Sequence, residues 1–416
     1  MRLFWLELKR VLKTRYVQLI LLAVILLTGL LSYAPISFVQ YTCQDAGGKE
    51  VTVKGMEAIR LKKESQKAYA GAIEPEQIAQ ALKKYQDCSS KYENGVYDEN
   101  MPVSEYAENI APVSFIIQKL VEVYADPSTG MGADVMELTE EDAKGFYEQC
   151  RQHLADLMNL EQKDYPEARE KAAAMYDDVE MPFSYYPGVD SNSIEYLGIT
   201  VFLLVLLSVV ITAPVFSGEY QTEADQILRC TRHGRMRLAV TKLAASVLIM
   251  TVMYAVCITI FMVVINTAFG WEARQADIQF LFSAVSFLPM TIGTLQYAVI
   301  AAGYLTMLAT IFFTLFLSSR CRTIFASSLA GIGFCILPIF VANFMGNDIG
   351  DWIRCILPSG GAGLNNSFLY AILDTGFVYF GNHAFWTPYV MITAAAAGAV
   401  IFMIGTVRSY CRFSQT

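Results

Sequence analysis

Residues 196–216 read YLGITVFLLVLLSVVITAPVF, a run that contains no Asp, Glu, Lys, Arg or His. A helix needs roughly 20 apolar residues to cross a bilayer core about 30 Å thick, so this stretch predicts a transmembrane helix. Five further stretches meet the same requirement, and they are Val17–Ala34, Leu243–Asn266, Thr291–Leu317, Ile324–Met345 and Trp386–Val407.

The composition of the 416-residue chain indicates the same class of protein. Apolar residues make up 54% and charged residues 17% of the sequence, whereas soluble domains average about 45–50% and about 25%. These values exclude an intrinsically disordered chain. Because no dense basic stripe with interleaved aromatic residues occurs, we expect the partner to be the lipid bilayer and not a nucleic acid.

One polar block interrupts the apolar framework. Residues 36–190 contain 29 Asp and Glu but only 15 Lys and Arg, and a block of this length can bury its own core. We therefore expect a mainly α polytopic membrane protein in three regions. An amphipathic elbow helix and the first span occupy residues 1–35, an extracellular domain occupies 36–190, and a five-span membrane domain occupies 191–416.

The distribution of Lys and Arg in the short segments predicts the orientation, since these residues favour the cytoplasmic side. With both termini inside, the inner segments carry 14 cations. They are Arg2, Lys9, Arg10, Lys13, Arg15, Arg229, Arg232, Arg235, Arg237, Lys242, Arg320, Arg322, Arg408 and Arg412. The two short outer loops carry only Arg274 and Arg354. The expected location is the plasma membrane of a bacterium, with the N- and C-termini in the cytoplasm.

The extracellular domain is predicted to be mostly helical. Pro75 suits the first position of a helix, and a second helix is expected after Ser104. A third helix begins at a capping box formed by Thr139 and Asp142, which lie three residues apart. The Gly47-Gly48 pair, followed by alternating β-branched residues, predicts one small hairpin.

The apolar run before the fourth predicted span is too long for one helix. It begins near Phe280, and Pro289 interrupts it. We therefore predict that Phe280–Leu288 forms a separate short helix at the outer membrane interface.

Two cysteines and one histidine in the extracellular domain raise the question of a covalent or metal site. Cys88 and Cys150 each fall on the apolar face of a predicted helix. A disulfide between them and a pair of buried thiols both fit, because spacing does not fix connectivity. His153 is expected on a solvated helix face, since the sequence places no further metal-ligand residues at the usual spacing around it.

The sequence predicts no catalytic residues, no metal site and no cofactor-binding residues. It lacks the Gly-rich GxxxxGK[ST] loop for nucleotide phosphates, and it has neither an HExxH nor a CxxC motif. The six predicted spans contain no Asp, Glu, Lys, Arg or His. Carriers driven by ion gradients hold such residues near the middle of the membrane, so any energy for transport should come from a partner.

The loop between the second and third spans has the pattern of a short amphipathic helix. Ser217 suits the N-cap, and Glu219 lies in the first turn. Arg229 and Arg232 lie in the last turn, where cations complement the helix dipole, and Gly234 can close the helix. Two interpretations remain: the helix transmits force from a cytoplasmic protein, or the loop only fixes the topology.

The N-terminal segment predicts an interfacial helix that leads into the first span. Its apolar side is formed by Leu3, Phe4, Leu8, Val11 and Leu12. The charged residues Glu7, Lys9, Arg10 and Lys13 lie around the other side, as is typical of helices at a membrane surface.

Several segments together resemble the permease subunits of type-2 ATP-binding-cassette (ABC) transporters. They are FWLELKRVLKTRY at 4–16, SGEYQTEADQILRCTRHGRMRLAVTKLAAS at 217–246, WIRCILPSG at 352–360 and FWTPYV at 385–390. The six-span layout is similar too, and the extracellular domain resembles large insertions after the first span of some bacterial members. The similarity lies in the order of these segments, since none of them is a strict signature.

The resemblance implies a site for an ATPase subunit. In that family the elbow helix and the loop between spans two and three dock onto the nucleotide-binding subunit. Carried over to this chain, the coupling helix is 217–234, and Glu219, Arg229 and Arg232 contact the ATPase. Because the chain has no fused ATPase domain, ATP would be bound and hydrolysed by a separate subunit, and a second permease would complete the complex.

The expected function is therefore ATP-driven export of an amphipathic compound, such as a peptide antibiotic, a drug or a lipid. An alternative is a peptide-sensing or resistance module, in which the outer domain binds a ligand without full translocation. A third class, an integral-membrane enzyme, would require convergent polar residues within the spans, and the sequence shows none.

Overall fold

The computed structural model describes residues 2–44, 49–188, 190–230, 235–346, 348–363 and 367–412. The chain begins with α1 (Arg2–Lys13) and, after a break at Thr14, continues with α2 (Arg15–Phe38). The prediction of an N-terminal helix leading into a first span is confirmed.

A polar domain lies between the first and second spans. Its elements are β1 (Gln40–Gln44), β2 (Glu50–Lys54), α3 (Met56–Gln66), β3 (Gly71–Ala72), α4 (Pro75–Ser89), α5 (Val103–Glu105), α6 (Ser114–Val123), α7 (Glu140–Lys144), α8 (Phe146–Glu161), α9 (Pro166–Asp177) and β4 (Ser184–Tyr185). Strands β1 and β2 form the expected hairpin, and β3 pairs with β4. The domain is mostly helical, as predicted.

The rest of the chain forms most of the membrane domain. Its elements are α10 (Ser191–Thr212), α11 (Pro214–Gln221), α12 (Ala224–Cys230), α13 (Met236–Phe269), α14 (Ile278–Leu281), α15 (Ile292–Ser318), α16 (Ile324–Phe344), α17 (Asp348–Ile356), α18 (Phe368–Leu373), β5 (Phe377–Phe380), β6 (His383–Trp386) and α19 (Thr387–Arg412). Strands β5 and β6 form an antiparallel hairpin directly before α19.

Six helical segments in the described part of the chain are long and apolar enough to cross a membrane, and they are α2, α10 with α11, α13, α15, α16 and α19. The predicted fold class is confirmed: the chain is a mainly α, multi-pass membrane protein. If all six segments cross a membrane, α1 and the end of α19 lie on one side, which we call the terminal side, and the polar domain lies on the other, which we call the domain side.

Two helices of the polar domain are interrupted where the sequence suggested continuous ones. The capping box at Thr139 and Asp142 is present, but it starts only the short α7, which ends at Lys144, and α8 begins after Gly145. The helix predicted after Ser104 is likewise broken, because Pro112 lacks an N–H and cannot continue it. The chain resumes a regular helix at α6.

The segment predicted as an interfacial helix is instead part of the polar domain's core. Only α14 is helical there, and the following residues fold back towards the domain. Phe280, Val285 and Phe287 are buried against Phe115 and Phe183 of the domain in one hydrophobic cluster. The prediction for Phe280–Leu288 was wrong, because the apolar residues find a protein core to pack against and not the lipid interface.

Hydrogen bonds fix the same segment to the domain. Lys119 Nζ donates to the carbonyl of Phe282 over 2.7 Å. The hydroxyl of Tyr176 donates to the carbonyl of Ala284 over 2.9 Å, in a buried environment. Glu122 Oε1 accepts a hydrogen bond from the Ala284 N–H at 2.9 Å. The domain is therefore held on the membrane domain by both apolar packing and buried polar contacts.

Burial decides one open question in the polar domain and corrects one expectation. Cys88 and Cys150 are both buried free thiols, so the disulfide is absent from the structure and the alternative interpretation is the one observed. Burial raises the pKa of each thiol. His153, expected in solvent, is only 5% exposed, and burial lowers the pKa of its imidazole.

Candidate functional site

The terminal side of the membrane domain brings together three elements that the sequence places far apart. Helix α1 packs against the beginning of α13, and α11 meets both from the end of the second span. Glu7 on α1 is only 7% exposed, whereas Trp5 and Leu6 are each 63% exposed. Glu7 therefore lies on the inner face of α1, and its predicted place on the polar outer side was wrong.

Four charged side chains form a cluster at this junction, which we call the ion node: Glu7, Arg10, Glu219 and Lys242. The Arg10 guanidinium lies 2.7 Å from a Glu7 carboxylate oxygen and 2.6 Å from Glu219 Oε1. The Lys242 ammonium pairs with the same Glu219 oxygen. The node has two carboxylates and two cations, so its formal charges balance.

Lys242 is the most deeply buried member of the ion node. Its side chain is fully buried, and Nζ donates to the carbonyl of Val215 over 3.1 Å. The ammonium also lies 5.3 Å from the centre of the Phe216 ring, within the range of a cation–π contact. A buried ammonium remains charged only when paired in this way, so Lys242 fixes α13 to α11.

Glu219, which the resemblance predicts to contact an ATPase, is buried in the structure. Its side chain is 7% exposed and holds cations from both α1 and α13. The Glu219 carboxylate already pairs with two cations of the same chain. It therefore joins the elbow helix to the end of the second span and does not present a surface charge. Glu219 therefore has a structural role in holding α1, α11 and α13 together, and its predicted contact with an ATPase stays a prediction.

Hydroxyl groups bind α11 to two other spans. The carbonyl of Ala213 accepts hydrogen bonds from Ser217 at 2.8 Å, from Ser318 at 2.6 Å and from Ser327 at 3.0 Å. Ser318 belongs to α15 and Ser327 to α16. Ser217 is 0% exposed and lies inside a helical segment that runs from Ser191 to Gln221. Its predicted role as an N-cap was wrong, because the second span continues past it.

The helix between the second and third spans begins seven residues later than Ser217, at Ala224. The break comes at Glu223, whose φ of 58° lies in the left-handed region, where non-glycine residues are uncommon. Of the predicted helix 217–234, only α12 is a helix separate from the second span. Its backbone includes Arg229, but the side chain of Arg229 and the whole of Arg232 and Gly234 lie outside the described residues.

One apolar side chain on α12 is exposed on the surface of the chain. Ile227 is 76% exposed, next to the partly buried Leu228, which packs against the membrane-domain core. The helix therefore fixes one apolar residue inward and presents another outward. A single exposed apolar side chain of this kind is common on protein surfaces and does not by itself identify a partner.

Part of this site could be found from the sequence, and part was missed. The loop and the elbow helix were identified, whereas Lys242 was counted only as a topology signal. A lone lysine within the apolar helical run 238–249 was the available signal, since a buried ammonium requires a carboxylate partner. Within the described residues, no three His, Cys, Asp or Glu side chains gather as a metal site would require.

Comparison of the chain with protein-family models, curated proteins and solved structures found no match. The terminal side comprises a short helix with an exposed isoleucine, joined by the two-residue turn at Thr222 and Glu223 to a span that is itself tied to α1, α13, α15 and α16.

Proposed function

We propose that this chain is the transmembrane permease subunit of an ATP-driven ABC transporter. The observation that carries the proposal is the ion node, which joins the elbow helix α1 to α11 and α13 and whose Glu219 lies five residues before α12 begins. In the proposed orientation the terminal side faces the cytoplasm of a bacterium, and the polar domain lies outside the plasma membrane. A separate ATPase subunit binds and hydrolyses ATP, and a second permease subunit completes the pathway.

The proposed mechanism uses the mechanical continuity of the second span. The ATPase contacts α12 through Ile227, and closure of its nucleotide-bound dimer displaces this helix. Because α10 and α11 form one helical segment from Ser191 to Gln221, the displacement passes into the membrane. The ion node makes α1 and α13 follow, so one side of the permease moves as a unit.

The proposed transport is export of an amphipathic compound such as a peptide antibiotic, a drug or a lipid. The described spans hold only Lys242 and Glu219 as a buried ion pair, and these two neutralise each other at the terminal end of the membrane domain. This arrangement supports an energy source outside the chain, since ion-coupled carriers need an ionisable group near mid-membrane that can be loaded and released.

The test is purification of the tagged full-length chain from its native membrane, with mass spectrometry of the proteins that accompany it. We expect a polypeptide that carries the phosphate-binding GxxxxGK[ST] loop, and ATP hydrolysis by the purified complex. Replacement of Ile227 by Asp should release this subunit, because it would bury an unpaired carboxylate at the interface.

Ile227→Met is the matched control, since it keeps an apolar side chain at the same exposed position. It should retain the ATPase subunit and ATP hydrolysis. If Ile227→Asp assembles and hydrolyses ATP as the unmodified chain does, α12 is not the ATPase contact. If no ATP-binding protein accompanies the unmodified chain, the permease proposal itself is wrong.

A further inference from the structure

A second charged feature on the terminal side lies away from the ion node. It is a groove of about 400 Å³ between the ends of α15 and α19, lined by Phe316, Arg320, Gly405, Arg408, Ser409 and Arg412. This volume falls within the usual range for small-molecule sites, about 300–1,000 Å³. We call it the arginine groove.

The lining of the arginine groove carries three cations and no anion. None of its arginines forms an ion pair with a carboxylate in the described part of the chain. Arg320 Nε donates to the Ser409 hydroxyl over 3.0 Å, and its guanidinium carbon lies 5.3 Å from the centre of the Phe316 ring. These two contacts fix the position of Arg320, and its guanidinium has no carboxylate partner among the described residues.

Helix geometry gathers the other cations on one face. Gly405, Arg408 and Arg412 are three and four residues apart on α19, so their positions lie one above another. Gly405 opens the space beneath the arginines. A Cβ at this position would lie 3.3 Å from Cδ2 of Phe316, which is a tight contact.

The apolar part of the groove continues into the lipid-facing surface of α19. Ile401 and Ile404 are 63% and 47% exposed, and Val400 is 52% exposed. They precede the arginines along the same helix. A ligand in the groove would therefore meet positive charge at one end and an apolar helix surface at the other.

We propose that the arginine groove binds an anionic phospholipid. The phosphodiester accepts hydrogen bonds from Arg320, Arg408 and Arg412, whose planar guanidinium groups suit phosphate oxygens. One acyl chain lies over Gly405 and along α19. Charge complementarity favours this occupant, because basic pockets between transmembrane helices recognise acidic lipid headgroups. The site is independent of the proposed ATPase contact, which lies on α12.

The experiment measures lipid binding to the full-length chain in detergent. Dioctanoyl phosphatidylglycerol, dioctanoyl phosphatidylcholine and inorganic phosphate are titrated separately, and binding is followed by native mass spectrometry and by the shift in melting temperature. We expect phosphatidylglycerol to bind at least about tenfold more tightly than phosphatidylcholine. Inorganic phosphate should neither bind detectably nor compete.

The variant Arg320→Gln, Arg408→Gln, Arg412→Gln should lose this preference. The matched control is Lys9→Gln, Lys13→Gln, Arg15→Gln, which removes the same charge from exposed positions on the same side of the membrane domain. It should keep the preference to within about twofold. Gly405→Leu should also weaken phosphatidylglycerol binding while leaving every charge in place.

Equal losses in the two triple variants would mean that the lipid senses only the overall positive charge of this side, and would overturn the site. Equal binding of phosphatidylcholine would do the same. Competition by inorganic phosphate at matched concentration would show a phosphate site without lipid specificity, which also contradicts the proposal. Failure to find an ATPase partner would leave all of these outcomes unchanged.

Discussion

At the scale of single residues, Glu219 connects the two cations of the ion node, because Arg10 and Lys242 both pair with its carboxylate. Replacement of Lys242 by Met should destabilise the protein by about 3–5 kcal/mol, since it leaves a buried carboxylate short of a cation. The expected result is a lower melting temperature in detergent. Unfolding is monitored by the reaction of a thiol dye with the buried cysteines.

Two further variants test whether the loss of stability comes from the burial of the ion pair. The double variant Lys242→Met, Glu219→Leu should be more stable than Lys242→Met alone, because Glu7 and Arg10 keep each other as partners at 2.7 Å. Arg60→Gln removes one side of an exposed pair with Glu57, in which the side chains are 68% and 63% exposed. It should change stability by no more than about 0–1 kcal/mol. Similar losses in Lys242→Met and Arg60→Gln would contradict the structural role of the node.

Residue patterns alone could not place Glu219 correctly, and the reason is physical. The sequence shows an acid near the start of an amphipathic loop, which is typical of a solvated first turn. Its partner Arg10 lies 209 positions away in the chain, so no local periodicity reports the pairing. His153 and the Cys88 and Cys150 thiols show the same limit, because their burial depends on neighbours from other helices.

At the scale of elements, the packing of three spans depends on one glycine. A Cβ at Gly303 of α15 would lie 2.4 Å from Cγ1 of Val201 on α10 and 2.9 Å from the hydroxyl of Tyr254 on α13. Small residues allow such close helix contacts in membranes. Gly303→Ala should therefore lower the stability by about 1–3 kcal/mol through overpacking, measured by thermal unfolding in detergent.

Gly333 of α16 provides the matched control within another span. A Cβ there meets no atom within 4 Å. Gly333→Ala should leave stability unchanged or raise it by up to about 1 kcal/mol, because alanine loses less backbone entropy in a helix. A Gly303→Ala variant as stable as Gly333→Ala would show that α10, α13 and α15 are packed less closely than the structure indicates.

The sequence predicted the existence of each span better than its ends. Apolar length identified all six, but α13 runs from Met236 to Phe269, beyond the predicted Leu243–Asn266. The additional turns include Lys242, whose charge ended the apolar run in the sequence. Its partner on α11 is what allows the helix to bury that charge. Ser217 was misassigned for the related reason that buried hydroxyls of α15 and α16 take up its hydrogen-bonding groups.

At the scale of the whole molecule, the polar domain packs directly against the domain side of the membrane domain. One of its contacts is the segment around Ala284, and another is the β5–β6 hairpin. Tyr165 of the domain stacks on Tyr379 with ring centres 3.6 Å apart, and Lys171 donates to the carbonyl of Ala384 over 2.7 Å. Motion of α19, which follows the hairpin directly, would therefore reach the domain.

The orientation of the whole chain decides whether this domain can meet compounds outside the cell. The inner segments carry 14 cations and the short outer loops two, which predicts a cytoplasmic terminal side. Asn100 in the polar domain and Thr222 beside α12 are both exposed. In a background without reactive native cysteines, a thiol reagent that cannot enter cells should label Asn100→Cys and not Thr222→Cys.

Permeabilised cells supply the control, because both positions should then react. A failure of Thr222→Cys to react after permeabilisation would mean that the residue is covered, and Gln221→Cys, which is also exposed, would replace it. Labelling of the loop position in intact cells, with Asn100→Cys protected, would reverse the orientation. The polar domain would then lie in the cytoplasm and α12 outside, where no ATPase could reach Ile227, so the permease proposal depends on this result.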